Sequence, residues 1–302
     1  MAVTKFRVLV RALATLVLGT LLTDPAFSRE LLPILYSSSG ELCSVARDSS
    51  GAAVCAPSHG AYDVDSPSWQ PNGRQIISEQ GREGGVHKLW LLDSNGHRLK
   101  SLAGSEGYMR PLWTPDGKRV IALRYGLGRA VGQWTADGSK RVTIPLVGFA
   151  DRYHHLQFIA VSRSGKRTAI IVDDFKKMLL ADVSDDQWTV TGMVPEDFAY
   201  VSGPVWRDDE HLVFAGSRVS QQPKGLWILD TTAGLVSAVP AGSLSIRDFV
   251  SMAPDVTALV VCAYGGGELK WSLWSVDLGS GEIQRLTFGI EDVTPSWGSP
   301  PQ

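Results

Sequence analysis

A short pattern recurs at nearly constant intervals along the 302-residue chain. Four copies contain a tryptophan, and two degenerate copies replace the tryptophan by valine or methionine. In chain order, the aligned positions are Trp69, Trp113, Val161, Trp206, Met252 and Trp297. Their spacings are 44, 48, 45, 46 and 45 residues, and this regularity predicts a chain built from six similar structural units.

A second motif occurs once in each of the five complete periods. It aligns Trp90, Trp134, Leu179, Trp227 and Trp274. Three residues after each of these positions comes an aspartate, namely Asp93, Asp137, Asp182, Asp230 and Asp277. Eight of the ten tryptophans therefore occupy only two positions of the repeat. This placement favours large apolar side chains packed between sheets over a carbohydrate-binding platform.

Each period contains the signals of four short strands. The segment around the first tryptophan is extended, a Pro-Asp-Gly type turn follows, and a β-branched run returns the chain. The second motif and the run after it supply two more strands. No segment shows a sustained helical period with caps, so we expect almost no helix. A four-stranded antiparallel sheet repeated about every 45 residues is typical of a β-propeller blade.

The N-terminal segment has the features of a secretory signal. Basic residues precede an apolar run from Ala12 to Leu22, and small residues at Ala26 and Ser28 fit cleavage before Arg29. We therefore expect a signal peptide over residues 1–28 and a propeller over residues 29–302. An uncleaved anchor is the alternative, although the apolar run is shorter than the roughly 20 residues that span a bilayer. No later segment predicts a membrane span.

The repeat resembles that of a known family. The segment from Pro111 to Val120 has the pattern P-x-W-x-P-D-G-K-x-[VI], and the second motif follows it. Together these motifs resemble the TolB-type propeller repeat of bacterial envelope proteins, in six copies that cover essentially the whole mature chain. The resemblance implies an all-β, six-bladed propeller in the periplasm. TolB also carries an α/β domain before its propeller, whereas here the first predicted strand follows the predicted cleavage site within a few residues.

The two ends of the chain are expected to share one blade. The N-terminal part contributes three strand-like segments that lack an innermost strand, and the C-terminal segment TPSWGSP supplies it, which predicts a closed ring without exposed edges. Cys43 and Cys55 lie in two of these segments, so a hairpin could pair them as a disulfide; three unpaired thiols are the alternative. Cys262 lies in an apolar strand and is predicted to be a buried thiol.

Function is expected in the loops, because packing accounts for the strands. In a four-stranded meander, the links into each innermost strand and the links between the second and third strands emerge on one face. We predict a binding surface on that face formed by Asp63, Asp65, Tyr108, Arg110, Arg152, His155, Tyr200, Arg247, Asp248 and Glu291. An ordinary solvated loop face is the alternative, but tyrosine and arginine are enriched at interface hot spots.

Charge and motifs argue against several function classes. The 29 basic and 31 acidic residues leave no basic footprint for nucleic acid. The sequence contains no G-x-S-x-G elbow, no H-E-x-x-H motif and no phosphate-binding glycine loop. His154 and His155 are adjacent, so only one of them could face the channel from a strand, and the sequence predicts neither a metal nor a cofactor.

Two function classes remain. The sequence favours a monomeric, non-catalytic propeller that binds an envelope protein or peptide through the loop face. The alternative is a propeller lyase or hydrolase acting on a glycan, which would need convergent histidines or paired carboxylates. Metal analysis of the purified protein discriminates between the two classes.

Overall fold

The computed structural model is all-β. It describes residues 32–48, 52–56, 63–81, 85–124, 130–149, 153, 155–184, 187–194, 197–219, 223–265, 270–289 and 291–298. Within these ranges the chain forms 25 strands in six sheets and no helix. The prediction of a six-bladed β-propeller is therefore confirmed. The predicted signal peptide lies outside the described residues.

The strands follow one another in the order that the repeat predicts. The composite blade contains β1 (Ile34–Ser38), β2 (Glu41–Val45) and β3 (Val54–Cys55). Blade 1 contains β4 (Asp63–Trp69), β5 (Gln75–Gly81), β6 (Lys88–Asp93) and β7 (Arg98–Ser101). Blade 2 contains β8 (Tyr108–Trp113), β9 (Arg119–Arg124), β10 (Val131–Thr135) and β11 (Arg141–Ile144). Blade 3 contains β12 (Leu146–Val147), β13 (Leu156–Val161), β14 (Arg167–Val172), β15 (Lys177–Val183) and β16 (Trp188–Val194). Blade 4 contains β17 (Tyr200–Trp206), β18 (His211–Ser217), β19 (Gly225–Asp230) and β20 (Leu235–Val239). Blade 5 contains β21 (Ser245–Met252), β22 (Ala258–Tyr264), β23 (Ser272–Asp277) and β24 (Ile283–Arg285). The closing strand is β25 (Asp292–Trp297).

The composite blade closes the ring. Its strand order is β25-β1-β2-β3, so the C-terminal strand is innermost and pairs antiparallel with the first strand of the chain, with Ile34 opposite Trp297. This arrangement confirms the predicted closure by both ends of the chain. Cys43 and Cys55 are directly opposite each other in β2 and β3, and their sulfurs form a disulfide. Cys262 is a buried free thiol, and burial raises its pKa to about 12.

The tryptophans of the first motif fill the seams between blades. Trp69, Trp113, Trp206 and Trp297 are only 5–7% exposed. Trp113 of blade 2, for example, packs in one cluster with Ile77 and Leu89 of blade 1. Full burial of such a side chain contributes several kcal/mol, because replacing a core tryptophan by alanine costs about 3–5 kcal/mol. The aligned tryptophans therefore join neighbouring blades.

Four of the five aspartates of the second motif, Asp93, Asp137, Asp230 and Asp277, hold the turns between the third and fourth strands, whereas Asp182 lies within β15. The Asp230 side chain accepts hydrogen bonds from the backbone N–H groups of Thr232 and Ala233, both at 2.8 Å. The Asp277 side chain accepts from Gly279 and Ser280 in the same way. Such side-chain to backbone bonds are typical of aspartate at the first position of a turn. The constant spacing within this chain is thus a turn requirement rather than a site for chemistry.

Blade 3 departs from the predicted four strands. A two-residue strand, β12, leaves the link from blade 2 and pairs parallel with β16, so that Leu146 lies opposite Trp188. The sequence did not predict this fifth strand, because two residues are too few to show any periodicity. The addition covers the outer edge of a blade that lacks the seam tryptophan.

A charged contact crosses the seam between the composite blade and blade 5. Arg47 Nη1 lies 2.7 Å from Asp255 Oδ2, and Arg47 Nη2 donates to Thr257 Oγ1 at 3.0 Å. Partial burial raises the pKa of Asp255, but the hydrogen bonds from Arg47 and Thr257 outweigh it and hold that pKa at about 2. Exposed ion pairs of this kind contribute at most about 1 kcal/mol, so the contact mainly aligns the two blades.

Every innermost strand carries an irregularity in its pairing, and it falls beside the central channel. In four blades the residue three positions before the seam tryptophan has a left-handed backbone and precedes a proline. These residues are Ser66 (φ 47°), Arg110 (φ 52°), Gly203 (φ 51°) and Thr294 (φ 51°). In the two blades without the tryptophan, the same position holds Phe158 and Phe249. One residue per blade is thereby presented to the channel.

The closure generates a direct prediction. Deleting residues 294–302 removes most of β25 together with the buried Trp297, which packs on Ala258 and Val260 of blade 5. We expect the free energy of unfolding to fall by at least about 3 kcal/mol, and the edge of β1 to become unpaired. Equilibrium denaturation followed by tryptophan fluorescence measures the change. A truncated protein with an unchanged midpoint and unchanged cooperativity would contradict the closure.

Candidate binding site at the channel mouth

The candidate site lies where the channel opens on the face that carries the links into the innermost strands. We call this face the upper face, and the opposite face, with its short turns, the lower face. The channel mouth is defined by seven residues that contact one another or one another's partners: Asp65, Arg110, Phe158, Tyr200, Lys224, Asp248 and Phe249. They come from blades 1 to 5, and all of them are half-buried or buried.

Arg110 is the central side chain of the mouth. Its guanidinium lies 3.8 Å from the centre of the Phe158 ring and 5.6 Å from that of Phe249, and its Nη1 donates to the carbonyl oxygen of Gln157. A guanidinium over an aromatic face gains electrostatic attraction in addition to packing. Burial lowers the pKa of Arg110, and the carboxylates around the mouth oppose that shift. Because arginine keeps its proton in proteins, the channel mouth contains a fixed positive charge.

The two phenylalanines are a consequence of the degenerate blades. Regular blades place a residue with a left-handed backbone before a proline at this position, whereas blades 3 and 5 have Phe158 and Phe249, whose rings lie 5.6 Å apart with their planes 66° apart. The sequence motifs did not identify them, because the motifs were aligned on the tryptophan position, which lies three residues after each phenylalanine. The same alignment, read at the channel position, contains the signal.

Tyr200, Asp248 and Lys224 form a hydrogen-bonded group beside Arg110. The Tyr200 hydroxyl donates to Asp248 Oδ1 at 2.5 Å, and Lys224 Nζ lies 2.6 Å from the same oxygen and 3.6 Å from the centre of the Tyr200 ring. Phe175 also stacks on that ring, with centroids 5.0 Å apart. Burial, and then the bond to Asp248, raise the pKa of Tyr200 well above its usual range. Tyr200 is therefore a hydrogen-bond donor at neutral pH and not a base.

A buried carboxylate supports the backbone of Arg110. Glu79 Oε2 accepts a hydrogen bond from the Arg110 N–H at 3.1 Å, and Glu79 Oε1 lies 2.8 Å from His87 Nδ1. Burial and the nearby Asp65 raise the pKa of Glu79, while the bonds from Arg110 and His87 act in the opposite direction. Leaving such a group without partners would cost about 1–3 kcal/mol or more, so Glu79 helps to fix the left-handed conformation of Arg110.

The structure distributes the predicted binding residues unevenly. Asp65, Arg110, Tyr200 and Asp248 meet at the channel mouth. The others differ as follows: Asp63 is exposed beside the turn at Gly40, His155 is half-buried ahead of β13, and Arg152 lies outside the described residues.

Tyr108 takes a different place from the one that its loop position suggested. It is 1% exposed and packs edge-on against Trp134, with ring centroids 4.9 Å apart. It belongs to the core cluster that also contains Trp113. The reason is that Tyr108 is already the first residue of β8, where its side chain enters the seam between blades 1 and 2. The structure thus places Tyr108 in the core rather than on the binding surface.

Arg247 and Glu291 form a second, more exposed group at the rim of the mouth. Arg247 Nη1 is 4.0 Å from Glu291 Oε1, and the guanidinium lies 5.0 Å from the centre of the Trp271 ring. The Glu291 side chain is 58% exposed, whereas that of Arg247 is 33% exposed. Arginine and tryptophan are enriched at interface hot spots, whereas exposed carboxylates belong to the polar rim of an interface.

Beside Arg110 the channel contains a small cavity. It has a volume of about 170 Å³ and is lined by the prolines and small polar residues of the innermost strands, among them Ser66, Ser251 and Thr294. Pockets for drug-sized ligands span about 300–1,000 Å³, so this cavity has room for a few waters. A partner would therefore meet the protein at the mouth and not inside the channel.

One group of metal-ligating side chains occurs among the described residues. It consists of Glu41, Cys43 and Cys55. The two cysteines are joined in a disulfide, so they offer no thiolate to a metal. Elsewhere, His97 and His211 pair with Asp93 and Asp208 on the lower face, each at a hydrogen-bonding distance. None of the described residues forms a helix long and apolar enough to cross a membrane.

The six sheets define a six-bladed β-propeller with a candidate binding site at the mouth of its channel. The architecture is TolB-like. The chain is similar to TolB from Acinetobacter baumannii, with a TM-score of 0.68 and 17% identity, over 88% of this chain and 66% of that chain. It is similar to the putative TolB from Agrobacterium tumefaciens with a TM-score of 0.60 and 14% identity, over 89% of this chain and 92% of that chain. At these identities the likeness shows the shared fold.

Two further comparisons give more distant or more local similarity. An oligogalacturonate lyase in complex with manganese matches with a TM-score of 0.56 and 16% identity, over 84% of this chain and 73% of that chain. A 75-residue segment is 29% identical to an uncharacterized peptidase, YuxL, of Bacillus subtilis strain 168. That segment is 24% of this chain and spans 11% of the peptidase. No protein-family model matches the chain.

A glycine substitution tests the geometry of the mouth. Gly203 has φ 51°, and a Cβ there would lie 2.6 Å from the Asp248 carbonyl oxygen. In Gly203→Ala, β21 must move, which displaces Asp248 from Tyr200 and Lys224. We expect the free energy of unfolding to fall by about 1–3 kcal/mol more than in a matched Gly165→Ala control.

The control separates crowding from backbone strain. Gly165 also has a positive φ, 76°, but a Cβ there would meet no atom within 4 Å. Its substitution therefore reports the left-handed conformation alone, which costs about 1–2 kcal/mol. Urea denaturation of both variants gives the difference. If both variants lose the same free energy of unfolding, Gly203 does not approach blade 5 as closely as described.

Proposed function

We propose that this protein is a non-catalytic periplasmic propeller that binds a protein or peptide partner over its channel mouth, as part of the cell envelope. The observation that carries the proposal is the convergence of aromatic and charged side chains at the channel mouth, next to a cavity of about 170 Å³. The guanidinium of Arg110 lies within 6 Å of the ring centres of Phe158 and Phe249. Phe175 extends this aromatic group, since its ring centre lies 5.9 Å from that of Phe158 and 5.0 Å from that of Tyr200.

The chemistry of these residues supports binding rather than catalysis. The charged groups at the centre of the mouth already have partners: Arg110 bonds to Gln157, and Asp248 bonds to Tyr200 and Lys224. A tyrosine that acts as a nucleophile or general base must first lose its proton, and the raised pKa of Tyr200 keeps its hydroxyl protonated at neutral pH. Rigid, prepaired side chains instead reduce the entropy lost on binding.

Location in the periplasm is supported by two features of the chain. The N-terminal segment has the charge, apolar run and small residues of a secretory signal. The disulfide between Cys43 and Cys55 belongs to an oxidising compartment, since cytosolic disulfides are rare. The TolB-like fold is consistent with such a location, although it supplies no partner. The glycan lyase alternative has only a fold-level likeness in its favour and is not proposed.

The first part of the test asks which face meets a partner in the cell. A photo-crosslinking residue is placed at Asp174, which is exposed beside the mouth, or at Asn95, which is exposed in a lower-face turn. The protein is expressed with its own N-terminus and recovered from the periplasmic fraction. We expect adducts from position 174 and none from position 95. Adducts from position 95 alone would place the site on the wrong face.

The second part measures affinity with matched variants. Arg247→Ala with Glu291→Ala removes the exposed pair at the rim without changing the net charge. We expect binding of the crosslinked partner to weaken by about 30-fold, since hot-spot residues contribute about 2 kcal/mol or more. The control, Asn95→Ala with Thr232→Ala, alters two exposed lower-face turns and should bind normally. Calorimetric titration compares the two, and loss of binding in the control alone would contradict the proposal.

A further inference from the structure

A groove lies at the seam between blades 2 and 3, on the side of the lower face. Its volume is about 410 Å³. Buried or half-buried Ile121, Val161, Val183 and Trp188 line its inner part, and exposed Asp116 and Arg163 lie at its rim. The groove is remote from the channel mouth and plays no part in the function proposed above.

The repeat explains why the groove exists. At the seams that precede blades 1, 2 and 4 and the composite blade, a tryptophan from the innermost strand packs against the preceding blade. At the seam between blades 2 and 3 the aligned residue is Val161, whose short side chain leaves that volume unfilled. At the other degenerate seam, Met252 is long enough to pack against the cluster of blades 4 and 5. Trp188, from the fourth strand of the blade 3 meander, covers only part of the vacant seam.

The neighbouring seam shows what an occupant would contact. There, the Arg167 guanidinium lies 5.3 Å from the centre of the Trp206 ring, and Trp206 Nε1 donates to the Ala160 carbonyl at 2.9 Å. Arg119 of blade 2 is aligned with Arg167 in the repeat, and it lines the groove. Arg119 Nη1 lies 3.4 Å from Gln133 Oε1, which holds the guanidinium on that wall.

We propose that this groove binds an aromatic side chain, best an indole, presented by a protein or peptide partner. The partner's ring would complete the seam in the way that the chain's own tryptophans complete the others. The apolar inner part of the groove would shield one side of the ring from water, and Arg119 offers a cation to its face. A single aromatic anchor inserted in a desolvated pocket is a common hot-spot arrangement. The occupant is specified by the repeat, since tryptophan fills four of the six aligned positions.

The test uses N-acetyl-tryptophanamide as the probe, titrated into isotope-labelled protein and followed by NMR. We expect saturable shifts of the Gln133 side-chain amide and of backbone amides near Val161 and Val183, with a dissociation constant on the order of 1 mM. N-acetyl-leucinamide should bind at least several-fold more weakly. Shifts confined to other regions, or no shift at roughly 10-fold higher probe concentration, would overturn the proposal.

Variants connect the binding to the vacant position. Val161→Trp supplies the missing ring from the chain itself, and we expect at least a tenfold loss of probe binding with a melting midpoint that is equal or higher. Leu235→Trp adds a tryptophan at a site in blade 4 that is 70% exposed, and should leave binding unchanged.

A second pair of variants keeps the test decisive if Val161→Trp does not fold. Val161→Met copies the residue of the other degenerate seam and should reduce binding to an intermediate degree. Arg119→Gln removes the cation and should weaken binding several-fold. Full binding of the probe by both folded variants would overturn the proposal.

Discussion

The pairing of β25 with β1 is the constraint on which the rest of the structure depends. It joins the last strand of the chain to the first and supplies the sixth innermost strand of the ring. Without it, the seam that Trp297 fills would be open, and the channel would have a gap in its wall. The disulfide between Cys43 and Cys55 adds a covalent link within the same blade, and the contact of Arg47 with Asp255 joins it to blade 5. Pairing, a covalent bond and an ion pair thus all secure the blade that closes the ring.

Once the ring is closed, one position of the repeat determines what the channel contains. Three residues before the seam position, four blades place a residue with a left-handed backbone before a proline, and two blades place a phenylalanine. Strained backbone at a single site would suggest function. Its recurrence in four blades shows that the conformation belongs to the repeat. Among the six channel positions, Arg110 alone has a charged side chain, and its guanidinium contacts Phe158 and Phe249.

The same degeneracy has two opposite effects at blade 3. At the channel position it introduces Phe158, which packs against Arg110. At the seam position it introduces Val161, which leaves a groove on the lower face. Loss of a large residue from a close-packed seam costs stability unless another group fills the space. In blade 3, Trp188 fills part of it, and the groove that remains has an apolar inner part and a polar rim.

Much of this fold could be predicted because its signals are long-range and regular. Spacings near 45 residues indicate the blades, and the missing innermost strand at the N-terminus indicates the closure. The contents of the mouth were harder to predict. Sequence alone suggested Arg110, Tyr200 and Asp248, but loop position does not determine side-chain direction, so Tyr108 was expected at the surface and lies in the core. Lys224 and Phe175 reach the mouth from links between second and third strands, and no spacing rule relates them to Tyr200.

Hydrogen exchange of the complex tests the central claim most directly, because it reports the contacted backbone without altering the protein. If the partner sits on the channel mouth, amide exchange should slow at Gln157, at Lys224 and around Asp248, while the lower-face turns at Asn95 and Thr232 exchange as in the free protein. Protection confined to the lower-face turns, with the amides of the mouth unchanged, would contradict the account.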